Sequence, residues 1–372
     1  MENQVICESE GLKLKALFLP TASMNDPASR YRVYQYLDYL RRTGMVADYR
    51  AGISDFMYTM FAPYKGLFHK AIFFGLRALN RILAVFIIWR YDVIIIQRLV
   101  LPHVYPFPEI LICMVGKMIG KRIIFDFDDA IFTTYAHRDK TPAERFSDAN
   151  RLARVLARCD TVIAGNAYLA SYAGAYNANV VIIPTTIDMN RYPAKKYEDK
   201  NAGAPYIIGW IGTPSSLPYL NILKPVFQEL AQKHNILIRI IGGLSYQCPG
   251  VHVEQLPWSL QDEVSHILTF DIGVMPLPGD EYDQGKCGLK LLQYMAAGIP
   301  AVASPVGVNK DIIKDWLNGC LACSIEEWVV KISSLLQSTQ LRMELGRRGR
   351  ETVERKYSIQ AVLPDFLEVL RG

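Results

Sequence analysis

The chain has 372 residues, with 41 Lys and Arg against 36 Asp and Glu, a formal net charge of +5. At roughly 100–200 residues per domain, that length suggests two domains, and 51% hydrophobic with 21% charged residues excludes a disordered, collagenous or acidic-tail chain. Five extra positive charges spread along the chain exclude a dedicated nucleic-acid binder, whose basic residues cluster on one face, and fit an anionic small molecule or an anionic membrane surface better.

The opening MENQVICESEGLKLK is polar and acidic and lacks the charged-then-apolar order of a signal peptide, so a cytoplasmic protein is expected. Seven scattered cysteines, from Cys7 to Cys323, fit a reducing compartment. Cys320 and Cys323 form a CxxC, but no neighbouring Cys or His pair completes a zinc site, and two part-buried core cysteines are expected there.

In chain order, short β-branched runs alternate with helical patterns. The first series predicts strands over Leu14 to Pro20, Tyr91 to Gln97, Lys121 to Phe127, Asp160 to Gly165 and Asn179 to Pro184. Helices are predicted between them over Tyr31 to Arg42, Lys65 to Arg90, Pro108 to Ile119 and Ala143 to Cys159. A polar stretch, IDMNRYPAKKYEDKNAGAP, then reads as a linker over 187–204. The second series predicts strands over Pro205 to Gly212, Ile236 to Gly243, His252 to Pro257, Phe270 to Leu277 and Pro300 to Pro305. Its domain is expected over 205–357, with Ser358 capping a last helix over 358–372 that joins a first domain spanning 1–186. The expected fold class is α/β, two doubly wound Rossmann-like domains facing across a cleft, an arrangement suited to group transfer between two substrates.

The stretch Asp271 to Asn309, DIGVMPLPGDEYDQGKCGLKLLQYMAAGIPAVASPVGVN, carries the chemistry. A strand ends near Leu277, an acidic loop follows, and Gly285-Lys286-Cys287-Gly288 opens a helix that Gly298 ends. Glycine at a helix mouth lets a ligand approach the backbone, and unpaired N–H groups with the positive dipole end favour an anion. Lys286 and Lys290 flank that mouth, where lysine is normally avoided, and point to a diphosphate.

The GLKLLQYMAAG helix, the IPAVASPVG strand and turn, and the tail RRGRETVERKYS resemble the glycosyltransferase group 1 proteins, the retaining glycosyltransferase family 4 of GT-B fold. The resemblance is strongest from Pro205 to Ser358. It implies a metal-independent enzyme with no cofactor that moves a sugar, with retention, from a nucleotide-diphosphate sugar as co-substrate to a glycan or polyprenyl-linked acceptor, as in cell-surface polysaccharide biosynthesis. The family pattern E-x(7)-E-A-M-A-x-G places its two carboxylates at Gly285 and Gln293. Gln293 retains hydrogen-bonding capacity toward ribose, and Asp280 or Glu281 is the expected substitute for the sugar contact. After the first strand of this domain, where relatives carry Arg and Lys, stand Gly212, Thr213 and Ser215, shifting the cationic role to Lys286 and Lys290. Cys287, Gly288 and Leu289 complete the expected donor site, and Trp258 offers a stacking face for the base.

In the first domain, Arg30 and Arg32 follow the first strand and are candidates for an acceptor phosphate or the donor diphosphate. In IIFDFDDAIF, Asp128 and Asp129 are expected at the reacting carbon, with Lys290 completing the catalytic set. Two alternatives remain: a haloacid-dehalogenase-type phosphatase using Asp126 and Asp128, and a non-catalytic sugar-nucleotide scaffold. Finally, Lys70, Arg77 and Arg81 fall on one edge of the apolar helix Leu67 to Trp89, which is expected to touch the inner membrane face peripherally.

Overall fold

A computed structural model describes residues 13–61, 66–101, 103–133, 149–197 and 203–372. Two six-stranded parallel sheets form its frame. The first contains β1 (Lys15–Leu19), β2 (Val46–Tyr49), β3 (Val93–Gln97), β4 (Arg122–Phe127), β5 (Thr161–Ala164) and β6 (Val180–Ile182), in the order β2-β1-β3-β4-β5-β6. The second contains β7 (Tyr206–Ile211), β8 (Ile236–Ile241), β9 (Val253–Leu256), β10 (Ile272–Met275), β11 (Ala301–Ala303) and β12 (Cys320–Leu321), in the order β12-β11-β10-β7-β8-β9. The central strands are continuous apolar runs such as VIIIQ because helices cover both faces of a parallel sheet. The sequence pattern misses β2 and β12, which are short edge strands of four and two residues with too few positions to show a period. The expected helix over Ala143 to Cys159 begins in part outside the described residues; Arg151–Leu156 is helical.

Each sheet has an apolar cluster on either face. The last helix, Ile359–Arg371, is capped by Ser358, whose Oγ accepts from the Ala361 N–H at 3.1 Å. It buries Ile359, Val362, Phe366 and Leu370 against Ala16, Phe18 and Tyr36 of the first sheet's layer, so the last helix belongs to the first domain's packing. Cys320 is buried on edge strand β12, whereas Cys323 is exposed.

The helix Leu67–Leu83 departs from its amphipathic reading. Arg81 is 1% exposed and Arg77 donates its Nε to the Thr21 carbonyl at 3.0 Å, so two of the three expected membrane-facing cations point inward. This layer exposes Phe68, Leu79, Phe86 and Trp89 beside Lys70 and Arg90. No helix among the described residues is long and apolar enough to cross a membrane.

Candidate active site

The carboxyl ends of both sheets border one cleft of about 480 Å³. From the second domain, Gly212, Thr213, Ser215, Trp258, Lys286, Cys287, Gly288, Leu289, Lys290 and Gln293 line it, and from the first Arg30, Arg98, Asp128 and Asp129. Sequence reasoning thus brings most of its candidates together. Three of them lie elsewhere.

Arg32 is the first. Successive helical residues turn by about 100°, so residues two apart face opposite ways. The π-helical turn Arg30–Tyr34 accordingly sends Arg30 to the cleft and Arg32 into the first domain. There Arg32 forks onto the Asp126 carboxylate, with Nε at 3.1 and 3.2 Å, and donates to the Ile183 carbonyl at 2.8 Å. The pair is buried, which also corrects the phosphatase alternative: Asp126 is held by an arginine and is not presented as a nucleophile. Burial pushes the Asp126 carboxyl up despite the opposing charge of Arg32.

Asp280 and Glu281 are the others. Asp280 caps the short helix Glu281–Gln284 by accepting from the Asp283 N–H at 2.9 Å, and Glu281 is exposed. Neither lines the cleft. The buried acid of the loop is Asp283, which accepts from the Tyr219 hydroxyl at 2.7 Å and the Gly279 N–H at 3.0 Å.

Gly285 explains how the expected carboxylate position is used. A Cβ there would lie 2.5 Å from the Ala130 Cβ and 2.8 Å from its backbone nitrogen. First-domain backbone therefore fills the space a side chain would need. Asn166 tightens the same seam, its Nδ2 donating to the carbonyls of Gly285 at 3.1 Å and Lys286 at 3.2 Å. The contact delivers the Asp128–Asp129 loop to the cleft.

That loop is held by Arg98, which the sequence reading did not single out. Arg98 follows β3 with φ +52°, a left-handed conformation uncommon for a residue with a side chain. Its Nε lies 2.6 Å from Asp128 Oδ1 and its Nη2 3.6 Å from Asp129 Oδ2. Asp129 also accepts from the Tyr282 hydroxyl at 2.6 Å and faces the Lys286 ammonium at 3.3 Å. Burial alone would raise the Asp129 carboxyl, but Lys286, Arg98 and the Tyr282 hydroxyl hold it below its ordinary value.

Deeper in the cleft a second network crosses the domains. Glu263 accepts from Arg30 Nη2 at 2.7 Å, Trp258 Nε1 at 2.7 Å and the Tyr31 hydroxyl at 3.0 Å. Gln293 Nε2 donates to the hydroxyls of Tyr31 and Tyr192, both at 3.0 Å. Arg30 lies 5.0 Å over the Trp258 ring. Glu263, Tyr31 and Tyr192 were invisible as site residues, because their partners are up to 262 positions away. Gln293 is thus committed through its amide nitrogen, and Trp258 through its indole N–H.

Lys290 stands apart. It makes no ion pair or hydrogen bond among the described residues, and lies 5.5 Å from the centre of the Trp210 ring. Burial in the cleft and the neighbouring Lys286 charge push it down to about 8. It sits in the first turn of the helix Leu289–Ala296, which opens at Gly288 with φ 71° and no side-chain cap. Left-handed backbone there is open to glycine at no steric cost. The first N–H groups of a helix have no intrahelical partner, so the mouth presents donors and an unpaired cation together.

Known proteins share this architecture. Residues 205–338 match the family model described as Glycosyl transferases group 1. Spore coat protein SA of Bacillus subtilis (strain 168) is 31% identical over 80 residues, spanning 21% of either chain. Sucrose-phosphate synthase from Thermosynechococcus elongatus superposes with a TM-score of 0.70 at 14% identity, covering 96% of this chain and 98% of that one. HepE of Anabaena superposes with a TM-score of 0.67 at 14% identity, covering 96% and 100%. Residues 205–338 therefore match a glycosyl transferases group 1 domain, and the chain as a whole has the GT-B fold of sucrose-phosphate synthase and HepE.

Proposed function

We propose that this enzyme takes a sugar from a nucleoside-diphosphate sugar and passes it, with retention and without a metal, to a glycan or polyprenyl-linked acceptor. The observation that carries the reading is Lys290, a cation with no ion pair among the described residues, in a cleft whose other cations, Arg30, Arg98 and Lys286, are paired, beside an uncapped helix mouth. As the glycosidic bond breaks, the leaving diphosphate gains negative charge, and donors already in place stabilise it without reorganisation. Lys290 and the N–H groups of Leu289 and Lys290 supply that charge, while Gly212, Thr213 and Ser215 offer backbone and hydroxyl groups opposite. Asp128, oriented by Arg98, faces the sugar from the other domain. HepE has been solved with UDP, with UDP and glucose and with UDP-glucose, which makes UDP the first nucleotide to try. A lipopolysaccharide outer core galactosyltransferase, WaaB, shares the fold at a TM-score of 0.58, which favours a role in cell-surface polysaccharide assembly at the cytoplasmic face.

Calorimetry with UDP, GDP, ADP and CMP, each with Mg²⁺ or EDTA, tests the donor side. One nucleoside diphosphate should bind regardless of metal, and its glucose conjugate should yield free sugar or product whose anomeric configuration, read by NMR, is that of the donor. Binding that requires Mg²⁺, or an inverted product, overturns the corresponding part.

A further inference from the structure

A second cavity of about 350 Å³ adjoins the cleft and shares three of its walls, Asn25, Tyr58 and Trp258. Its remaining lining is Thr59, Ser259, Leu260 and Gln261. The chemistry changes across the shared wall. The main cleft carries paired and unpaired charges, whereas none of the described residues that line this lobe is charged. It offers instead two aromatic rings, one from each domain, with amides and hydroxyls between them.

We infer that this lobe is the acceptor subsite and that it takes a neutral saccharide; the inference rests on the glycosyltransferase reading above. A sugar ring presents an apolar C–H face and a rim of hydroxyls, which matches a platform of Tyr and Trp ringed by uncharged donors and acceptors. An anionic acceptor group would find no unpaired cation among the described lining residues, because Arg30, over the Trp258 ring, is already held by Glu263. A lipid chain would meet one aliphatic side chain, Leu260. Trp258 is prepared for the role: its indole N–H is fixed on Glu263 at 2.7 Å and Arg30 lies over its ring, so the platform is rigid before a ligand arrives. The lobe is walled on one side by first-domain residues Asn25, Tyr58 and Thr59, away from the Gly288 mouth and Lys290, neither of which lines it. A nucleobase is the rival occupant.

The test uses the full chain saturated with the nucleoside diphosphate that calorimetry selects. Cellobiose, lactose and chitobiose are titrated by saturation-transfer NMR and tryptophan fluorescence, beside an unsaturated uronic-acid disaccharide as the anionic control. At least one neutral disaccharide should bind, Tyr58→Ala should weaken it roughly five- to tenfold, and Tyr58→Phe should restore it. The nucleoside diphosphate affinity should move less than about twofold in both variants. No binding by any neutral disaccharide, preferential binding of the uronic acid, or equal binding to wild type and Tyr58→Ala overturns the assignment. Loss of nucleoside diphosphate affinity in Tyr58→Ala makes the lobe a base pocket instead. Failure of every nucleoside diphosphate to bind the wild type is a different result and counts against the glycosyltransferase reading itself.

Discussion

The two domains exchange tyrosines, and the two insertions differ in kind. Tyr31 of the first domain packs in an apolar cluster of the second, and its hydroxyl joins Glu263, Tyr192 and Gln293. Tyr282 of the second packs in a cluster of the first, and its hydroxyl meets Asp129. The Arg30–Glu263 ion pair beside Tyr31 has both side chains 2% exposed, whereas Arg98, Asp128, Asp129 and Lys286 around Tyr282 are 12–23% exposed. A fully buried pair cannot exchange its partner for a ligand without leaving a desolvated charge behind. A half-open one can. The inner network therefore sets how the domains meet, and the outer cluster is where a substrate can compete for the same charges.

Substitutions at the two places should separate accordingly. Arg30→Ala leaves the Glu263 carboxylate buried without its countercharge and should cost about 3–5 kcal/mol of stability. Denaturant unfolding measures it, and Arg30→Met with Glu263→Gln should lose much less than the single change. A loss below about 1 kcal/mol for Arg30→Ala would place the pair among weak surface bridges and erase the distinction.

Lys290→Ala comes next, acting on ligand and not on fold. It should weaken nucleoside-diphosphate binding by about 1.5–3 kcal/mol, the range for a hydrogen bond to a charged group, and hardly change binding of the bare nucleoside. The pH dependence has a definite sign. Lys290 is held down to about 8, so below that value it is a cation and above it the charge is lost. Phosphate is fully ionised in this range, its second pKa being about 6. Wild-type affinity should therefore fall as pH rises through about 8, with the bound anion shifting the midpoint upward, and the fall should be absent in Lys290→Ala. Calorimetry from neutral to alkaline pH decides; parallel curves for the two proteins would remove Lys290 from the site.

Gly285→Glu supplies the carboxylate that the family pattern leads one to expect here, yet should harm this protein. The new Cβ would meet Ala130, and part of that contact is backbone, which cannot rotate away. Overpacking of this kind costs about 1–3 kcal/mol, and here it would lift the Asp128–Asp129 loop from the cleft. Transfer should drop while helix content is preserved. Undiminished transfer would mean that the seam at Gly285 does not position the loop.

Local pattern explains what the sequence made legible. Continuous apolar runs such as VIIIQ and YIIGWI mark buried parallel strands, and GKCGLKLLQYM shows a helix mouth with its glycine and its lysines in plain view. What stayed hidden is pairing across long chain separations. Glu263 lies in QDEVSHIL, which reads as an ordinary helix start, and only the fold brings Arg30 and Tyr31 to it. Arg98 has no motif; its significance comes from a left-handed backbone and two aspartates 30 residues on. Asp280 misleads because an acid before a helical turn serves as its cap as readily as a ligand contact. Arg32 misleads because two residues two positions apart on a helix face opposite ways.

The smallest effect on stability and affinity, and the sharpest test of the outer cluster, belongs to Asp129→Asn. Asp129 is shared between Arg98, Lys286 and Tyr282 at 3.6, 3.3 and 2.6 Å. The asparagine keeps the shape and an oxygen for the Tyr282 hydroxyl but removes the charge, so the stability cost should stay near 0.5–1.5 kcal/mol, about that of one hydrogen bond. Lys286 then loses its carboxylate and turns free to meet the diphosphate across the mouth it shares with Lys290. Donor affinity should accordingly stay level or tighten by a few-fold, while kcat falls because the loop no longer holds its charge toward the sugar. Steady-state kinetics beside calorimetry give both numbers from one preparation. Weaker donor binding in step with kcat would mean that Asp129 contacts the donor itself, and that the half-open cluster is not a place where protein and ligand trade charges.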